Sequence, residues 1–279
     1  MSIPCKILVA YDGSSCADGM LGELSRAGLP EAVESVVMTV TERWLPPPSM
    51  YEAIGSTVVP HAMPAGEIAE EGAATLRKLH PQWQVTALGA TGSPAKKLLR
   101  QGIEWGADLI VAGATGHSSL QRVLVGSVTH KLVNQAPCTV RVSRGFSPEK
   151  QGPAKLLLAH DGQPGADTAV AVVAKRNWPP GTEIRLVSCA VTPSSQEDHQ
   201  WMRDVLEKAA RRLQDSGLTV STAVLQGDPR KVIVEEAARV EAECIFAGDN
   251  DRSTVERLLL GTVSSAILAR AHCSVEICR

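Results

Sequence analysis

The chain has 279 residues, with 28 Lys plus Arg against 30 Asp plus Glu and a formal net charge of −2. Its 44% hydrophobic and 21% charged content is that of a globular protein and excludes a disordered or fibrous chain, while the length suits two domains of ~100–150 residues. The balanced charge offers no broadly basic face for nucleic acid. No apolar run reaches the ~18–20 residues of a membrane helix, and Met1–Lys6 lead into a short apolar stretch with no cleavage-like segment after it. The expectation is a cytoplasmic protein with no nucleic-acid and no membrane partner. Seven cysteines, an odd number without any CxxC pair, read as buried reduced thiols and agree with that compartment.

Taken in chain order, the first half alternates strands and helices. Cys5–Tyr11 is a continuous apolar run of strand length, and Ser14–Gly28 has helical spacing at Ala17, Met20, Leu21 and Leu24, with Ser14 or Ser15 as its cap. Val33–Val40 is a second strand. Gly66–His80 is a helix with Ile68, Ala69, Ala73 and Leu76 on one side, and Gln84–Gly89 a third strand. Ser93 caps the next helix, with Pro94 at its first position and Ala95, Leu98, Leu99, Gly102 and Ile103 inward. Asp108–Gly113, Ser127–Gln135 and Cys138–Ser143 complete the series as strand, helix and strand. Apolar strands alternating with amphipathic helices imply a parallel sheet covered on both faces.

The second half repeats the first. Residues 6–13, KILVAYDG, return as KLLLAHDG at 155–162, a shift of 149. ADLIVAG at 107–113 returns as AECIFAG at 242–248, a shift of 135, and Gly92-Ser93-Pro94, Gly126-Ser127 and Cys138 find partners at the same shift. Two constant shifts mean two copies of one domain, the first longer by 14 residues, most plainly within 41–66 and its Pro46-Pro47-Pro48 run. The polar Gly/Pro-containing stretch 144–153 joins them, giving expected domains at 1–145 and 154–279. The fold class is α/β: two tandem Rossmann-like, doubly wound domains, each a five-stranded parallel sheet with helices on both faces.

Such sheets take ligands beyond the carboxyl ends of their strands, where strand order reverses. Asp12 and Gly13 end the first strand there. Gly113 ends the fourth and opens a loop of pattern G-x2-G-x9-G-S through Gly116 to Gly126 and Ser127. Glycines let main chain approach an anion closely, and the helix opening at Ser127 presents free N–H groups and a positive dipole end. His117 and Arg122 lie inside the loop as charge partners. A dinucleotide fingerprint would stand at the first strand–helix turn, and GxxxxGK[ST] is absent.

On these residues the chain resembles the universal stress protein family, and specifically its tandem two-domain members, over nearly its whole length. The resemblance implies ATP with magnesium as the ligand. It implies that Asp12 contacts the nucleoside, that the Val40 backbone meets adenine, and that Gly113, Gly116, Gly126 and Ser127 hold the phosphates with the amide of Val128. His117 is grouped with them. On the residues alone, Asp12 serves equally as a cap for the following helix. The second copy keeps Asp161, Gly248, Gly261 and Thr262 as a weaker second site, but carries Asp251 where Gly116 stands. Asp249 and Asp251 would both face the phosphates. A like-charge contact at about 4 Å costs about 4 kcal/mol at an effective dielectric of ~20, or ~1,000-fold in affinity; Arg252 or a divalent metal would offset it. The expectation is one competent site per chain.

No GxSxG elbow, HExxH or metal-spaced Cys/His set occurs, so no catalytic residue is assigned and at most a slow ATPase is expected. Two functions stay open: an ATP-binding stress-response protein acting as a nucleotide-dependent regulatory or assembly switch, and a nucleotide-independent interaction scaffold. The last strand of each copy would leave an open sheet edge. In the family such edges pair, which implies an intramolecular pseudo-dimer, with further association of two chains left open.

Overall fold

The computed structural model describes residues 5–42, 63–114, 125–145, 152–191, 195–249 and 262–279. The first repeat runs β1 (Cys5–Ala10), α1 (Ser15–Glu23), β2 (Val33–Thr41), α2 (Ala65–Leu79), β3 (Gln84–Thr91), α3 (Pro94–Trp105), β4 (Leu109–Gly113), α4 (Ser127–Gln135) and β5 (Thr139–Ser143). The second runs β6 (Lys155–Ala159), α5 (Pro164–Ala174), β7 (Glu183–Ala190), α6 (Gln196–Gln214), β8 (Thr219–Gln226), α7 (Pro229–Arg239), β9 (Cys244–Gly248), α8 (Thr262–Arg270) and β10 (Ser274–Cys278). Among the described residues no helix is long and apolar enough to cross a membrane.

The strands form one ten-stranded sheet in the order β3-β2-β1-β4-β5-β10-β9-β6-β7-β8. Within each repeat every pairing is parallel, and the order turns back between β1 and β4, and again between β6 and β9. Side chains alternate across the sheet, yet both sets are buried: Ile7 and Val9 pack under α1 and α2, while Leu8 faces the opposite layer. That opposite layer is continuous through both repeats, joining Leu8, Ile110 and Val140 to Ile245, Val275 and Ile277.

Local chemistry explains the element ends. The Ser14 hydroxyl accepts from the Ala17 N–H at 3.2 Å and caps α1. The expected helix Ser14–Gly28 is shorter than its periodicity suggests. After Glu23 the Leu24 N–H turns to the carbonyls of Leu21 and Gly22, the chain tightens into a 3-10 turn over Leu24–Arg26, and Gly28 reverses it at φ +64°. Ser93 holds the cap position of α3 without a side-chain cap bond, whereas its counterpart Asp228 accepts from the Arg230 N–H. Ile103 is 60% exposed rather than inward. The buried stripe runs through Ala95, Leu98, Leu99 and Gly102, and at 100° per residue Ile103 stands about 90° from its centre.

β5 and β10 join the repeats as the one antiparallel pairing among the described residues, with Val142 opposite Val275, Arg141 opposite Glu276 and Val140 opposite Ile277. Around that seam, Arg26 bonds Glu243 at 2.7 Å, the Asn177 N–H donates to the Gly28 carbonyl at 2.8 Å, and Trp178 lies over Gly28. A Cβ on Gly28 would come within 2.7–2.9 Å of the Trp178 ring, whereas one on Gly106, with φ +68°, meets nothing within 4 Å. Both positions demand the left-handed region, so their comparison isolates the seam contact. Gly106→Ala should cost about 1 kcal/mol, the backbone term alone, and Gly28→Ala about 2–3 kcal/mol, read as the shift in urea midpoint at constant slope. Equal costs would show that the Trp178 contact contributes nothing.

Candidate functional site

A cavity of about 250 Å³ opens at the carboxyl ends of β1, β2 and β4, where the strand order reverses. Asp12, Val40, Gly113, Gly126, Ser127 and Val128 all line it. Gly116 and His117 lie outside the described residues. Tyr11, Ala17, Met38, Pro94, Leu98 and Thr129 are among the other wall residues, and sequence reasoning missed them as site residues. Met38 stands beside Ala10 in the strand register, two residues before Val40, and the periodicity by itself marks it only as core.

Each polar wall is held by a specific bond. Asp12 Oδ1 accepts from both the N–H of Ser14, at 3.0 Å, and its hydroxyl, at 2.6 Å. The cap of α1 is therefore Ser14, and Asp12, exposed at the cavity mouth, fastens that cap. On the far side the Ala114 N–H donates to Ser143, the Gly126 N–H donates to Ala114, each at 2.7 Å, and the Thr129 hydroxyl donates to the Gly113 carbonyl at 2.7 Å. These bonds pin the start of α4 against the end of β4. Gly126 spends its own amide there, so the amides left to face a ligand are those of the first helical turn, beginning at Ser127, and no side chain caps them.

Gly126 has φ −61° and ψ 152°, a conformation open to any residue. The nearest described atom to a Cβ there is the Ala114 carbonyl at 3.6 Å. Neither backbone geometry nor packing among the described residues requires a glycine. Gly248 is the opposite case: a Cβ would collide with the backbone of Gly165 and Ala166, so its place at the end of β9 is a demand of strand–helix packing.

The second repeat has a matching cavity of about 210 Å³, lined by Asp161, Gly248 and Asp249 together with His160, Ser188, Cys189 and Ser264. Gly261, Asp251 and Arg252 lie outside the described residues, and Thr262 begins α8. Asp249, expected to face the phosphates with Arg252 or a metal to offset its charge, has a different partner in the fold. Its carboxylate accepts from Arg279 Nε at 2.7 Å, and the same guanidinium donates to Val133 in the last turn of α4 at 2.5 Å. Asp249 is neutralised by a cation that also suits the negative end of that helix.

His160 replaces Tyr11 of the first repeat. The Tyr11 hydroxyl donates to Asp18 at 2.6 Å, and burial, with that carboxylate, raises its pKa. His160 Nδ1 accepts from the Gly162 N–H at 3.1 Å, which places the proton of the neutral ring on Nε2, 3.5 Å from Asp167. Burial lowers the His160 pKa from 6.5, opposed by Asp167. Protonation would also cost the bond that holds Gly162. Burial likewise pushes the Cys189 thiol up to about 11, with Asp228 adding to it, so the thiol stays protonated and unreactive.

A depressed histidine pKa makes the folded state bind fewer protons than the unfolded state, so stability falls as pH drops below the ordinary value of 6.5. His160→Tyr, which supplies the hydroxyl that Tyr11 uses, should make that fall shallower, leaving the part due to buried His80. Urea midpoints measured from pH 8 down to about pH 5 check this; an unchanged slope would remove His160 from the acid response.

A model of the Universal stress protein family matches residues 5–144 and again residues 154–279. A universal stress protein of Mycobacterium tuberculosis is 26% identical over 307 aligned residues, covering 100% of this chain and 99% of that one. A relative in Mycobacterium bovis matches to the same extent. Among solved structures, a universal stress protein from Archaeoglobus fulgidus superposes with a TM-score of 0.72 at 20% identity, covering 98% of each chain, and shares the fold. With two matches that together take in nearly every residue, this chain belongs to the universal stress protein family and carries its module twice in tandem.

Proposed function

We propose that the protein is a cytoplasmic stress-response switch that binds one adenine nucleotide, ATP with magnesium, in the first repeat. The observation that carries this reading is the convergence on one cavity of Asp12, Val40 and the amino terminus of α4, which no side chain caps. An uncapped helix start offers amides and a positive dipole end to phosphate, and Gly126 keeps that approach clear of a Cβ. Val40 and Leu98 supply apolar wall for a base. Magnesium usually keeps several waters and binds through substrate phosphates, so here it would arrive as a companion of the nucleotide.

A nucleotide in this position would clamp the Asp12 turn to α4. Because Arg279 links the far end of α4 to Asp249, the clamp would be felt in the second repeat, the basis of a regulatory or assembly switch. The second cavity keeps Asp161, but the chain carries Asp251 where the first repeat has Gly116. Its retained elements serve assembly.

Calorimetric titration of nucleotide-free protein with ATP and magnesium should give one site per chain. Gly116→Asp should abolish it. Gly126→Ala should leave the unfolding midpoint unchanged and weaken binding about tenfold or more, roughly 1.4 kcal/mol. Hydrogen exchange at Ser127 to Thr129 should slow on binding. Two nucleotides per chain would defeat the one-site reading, and no binding by two methods would favour the nucleotide-independent scaffold.

A further inference from the structure

Four charged side chains meet at the seam, with Glu23, Arg141 and Glu276 buried and Arg176 partly so. Arg141 on β5 and Glu276 on β10 are 3% and 0% exposed, face each other across the antiparallel seam, and bond at 3.2 Å. Arg141 also bonds Glu23 at the end of α1, at 2.5 Å, and Glu23 accepts from Ser143. Glu276 is held on its other side by Arg176, just past α5. Each repeat thus brings a compensated pair of its own, Glu23 with Arg141 and Arg176 with Glu276.

Their placement carries information that their burial does not. The shift of 135 that relates the repeats in this region carries position 141 onto position 276. In the observed register these two equivalent positions are opposite one another, so they stand on the pseudo-two-fold axis of the paired repeats. At such a position a repeat meeting a copy of itself would face its own residue. Two first repeats would set Arg141 against a second Arg141 with only its own Glu23 as counter-ion, and two second repeats would set Glu276 against a second Glu276 with only its own Arg176. Directly opposed like charges are unfavourable even on exposed strands.

The peripheral ion pair does not discriminate in this way. Arg26 bonds Glu243 across the seam. Applying the two shifts, Lys175 replaces Arg26 and Asp108 replaces Glu243. A like pair would therefore still set Arg26 against Asp108, or Lys175 against Glu243. The choice among partners falls on the axial residues.

We propose that Arg141 and Glu276 form a recognition code: each repeat's edge strand accepts a partner strand of opposite charge at the axis and rejects a second copy of itself. The partner that the β5 edge fits is a β10 edge, from the same chain or from another copy of it, and never another β5. Buried ion pairs are often replaceable by apolar side chains without loss of stability, and fixing which elements associate is their better-attested use.

The test uses the full chain with a specific protease site placed in the linker 146–151 and cut after folding. Isotope-labelled and unlabelled cut preparations are mixed in urea, returned to buffer and weighed by native mass spectrometry. Complexes of one first and one second repeat should outnumber like pairs roughly a hundredfold. A neutral variant, Glu23→Gln, Arg141→Met, Arg176→Gln and Glu276→Met, should keep its unfolding midpoint and yield like pairs near the statistical half. Should that variant not fold, Glu276→Gln alone removes the carboxylate repulsion and should bring pairs of second repeats up to about a tenth of the complexes. Like pairs in statistical proportion from the native sequence, strict unlike pairing after neutralisation, or no reassembly of the cut native halves would each overturn the proposal.

Discussion

The antiparallel contact between β5 and β10 is the constraint from which the rest of the molecule follows. A five-stranded parallel sheet ends in a strand whose backbone groups lack partners on one side. Here the open edges of both repeats are spent on each other, and the layer beneath them becomes one core from Leu8 to Ile277. On their other sides β5 and β10 pair with β4 and β9, whose ends line the two cavities. The two cavities are thereby held in a fixed relation by the sheet itself rather than by the linker.

The two cavities also show how one scaffold separates structural from ligand-directed glycine. Gly126 stands where nothing among the described residues asks for it, while Gly248 stands where the backbone of α5 leaves room for nothing larger. Both read alike in a motif. What distinguishes them is the distance to the nearest main chain, a quantity that belongs to packing. The same distinction applies to charge: Asp249 is a like charge near phosphate only until Arg279 is placed beside it.

Much of the architecture was legible in the sequence. The duplication, the alternation of strands and helices, and the gathering of Asp12, Gly113 and Ser127 at strand ends all follow from local pattern and chain order. Thr129 and Met38 were not legible as site residues, because their roles depend on the pinning of α4 to β4 and on strand register. Arg141 and Glu276 were overlooked for a related reason. A charged residue between apolar neighbours in Thr139–Ser143 or Ser274–Cys278 resembles the solvent side of a half-exposed strand, and only the covering of both sheet faces buries it. Ile103 shows the converse, an apolar residue at helical spacing that falls off the edge of the buried stripe.

The order of strands along the chain differs from their order across the sheet, and this bears on how the protein is made. β5 is complete by residue 143, but its neighbour β10 consists of residues 274–278. A ribosome must therefore add more than a hundred residues while the first repeat carries an uncovered strand edge. The last strand then has to slide between β5 and β9 and finish both repeats at once. During that interval a nascent first repeat is exposed to its neighbours on the same message, which carry the same edge. Chain elongation, and not only equilibrium stability, thus sets how long this strand edge stays open.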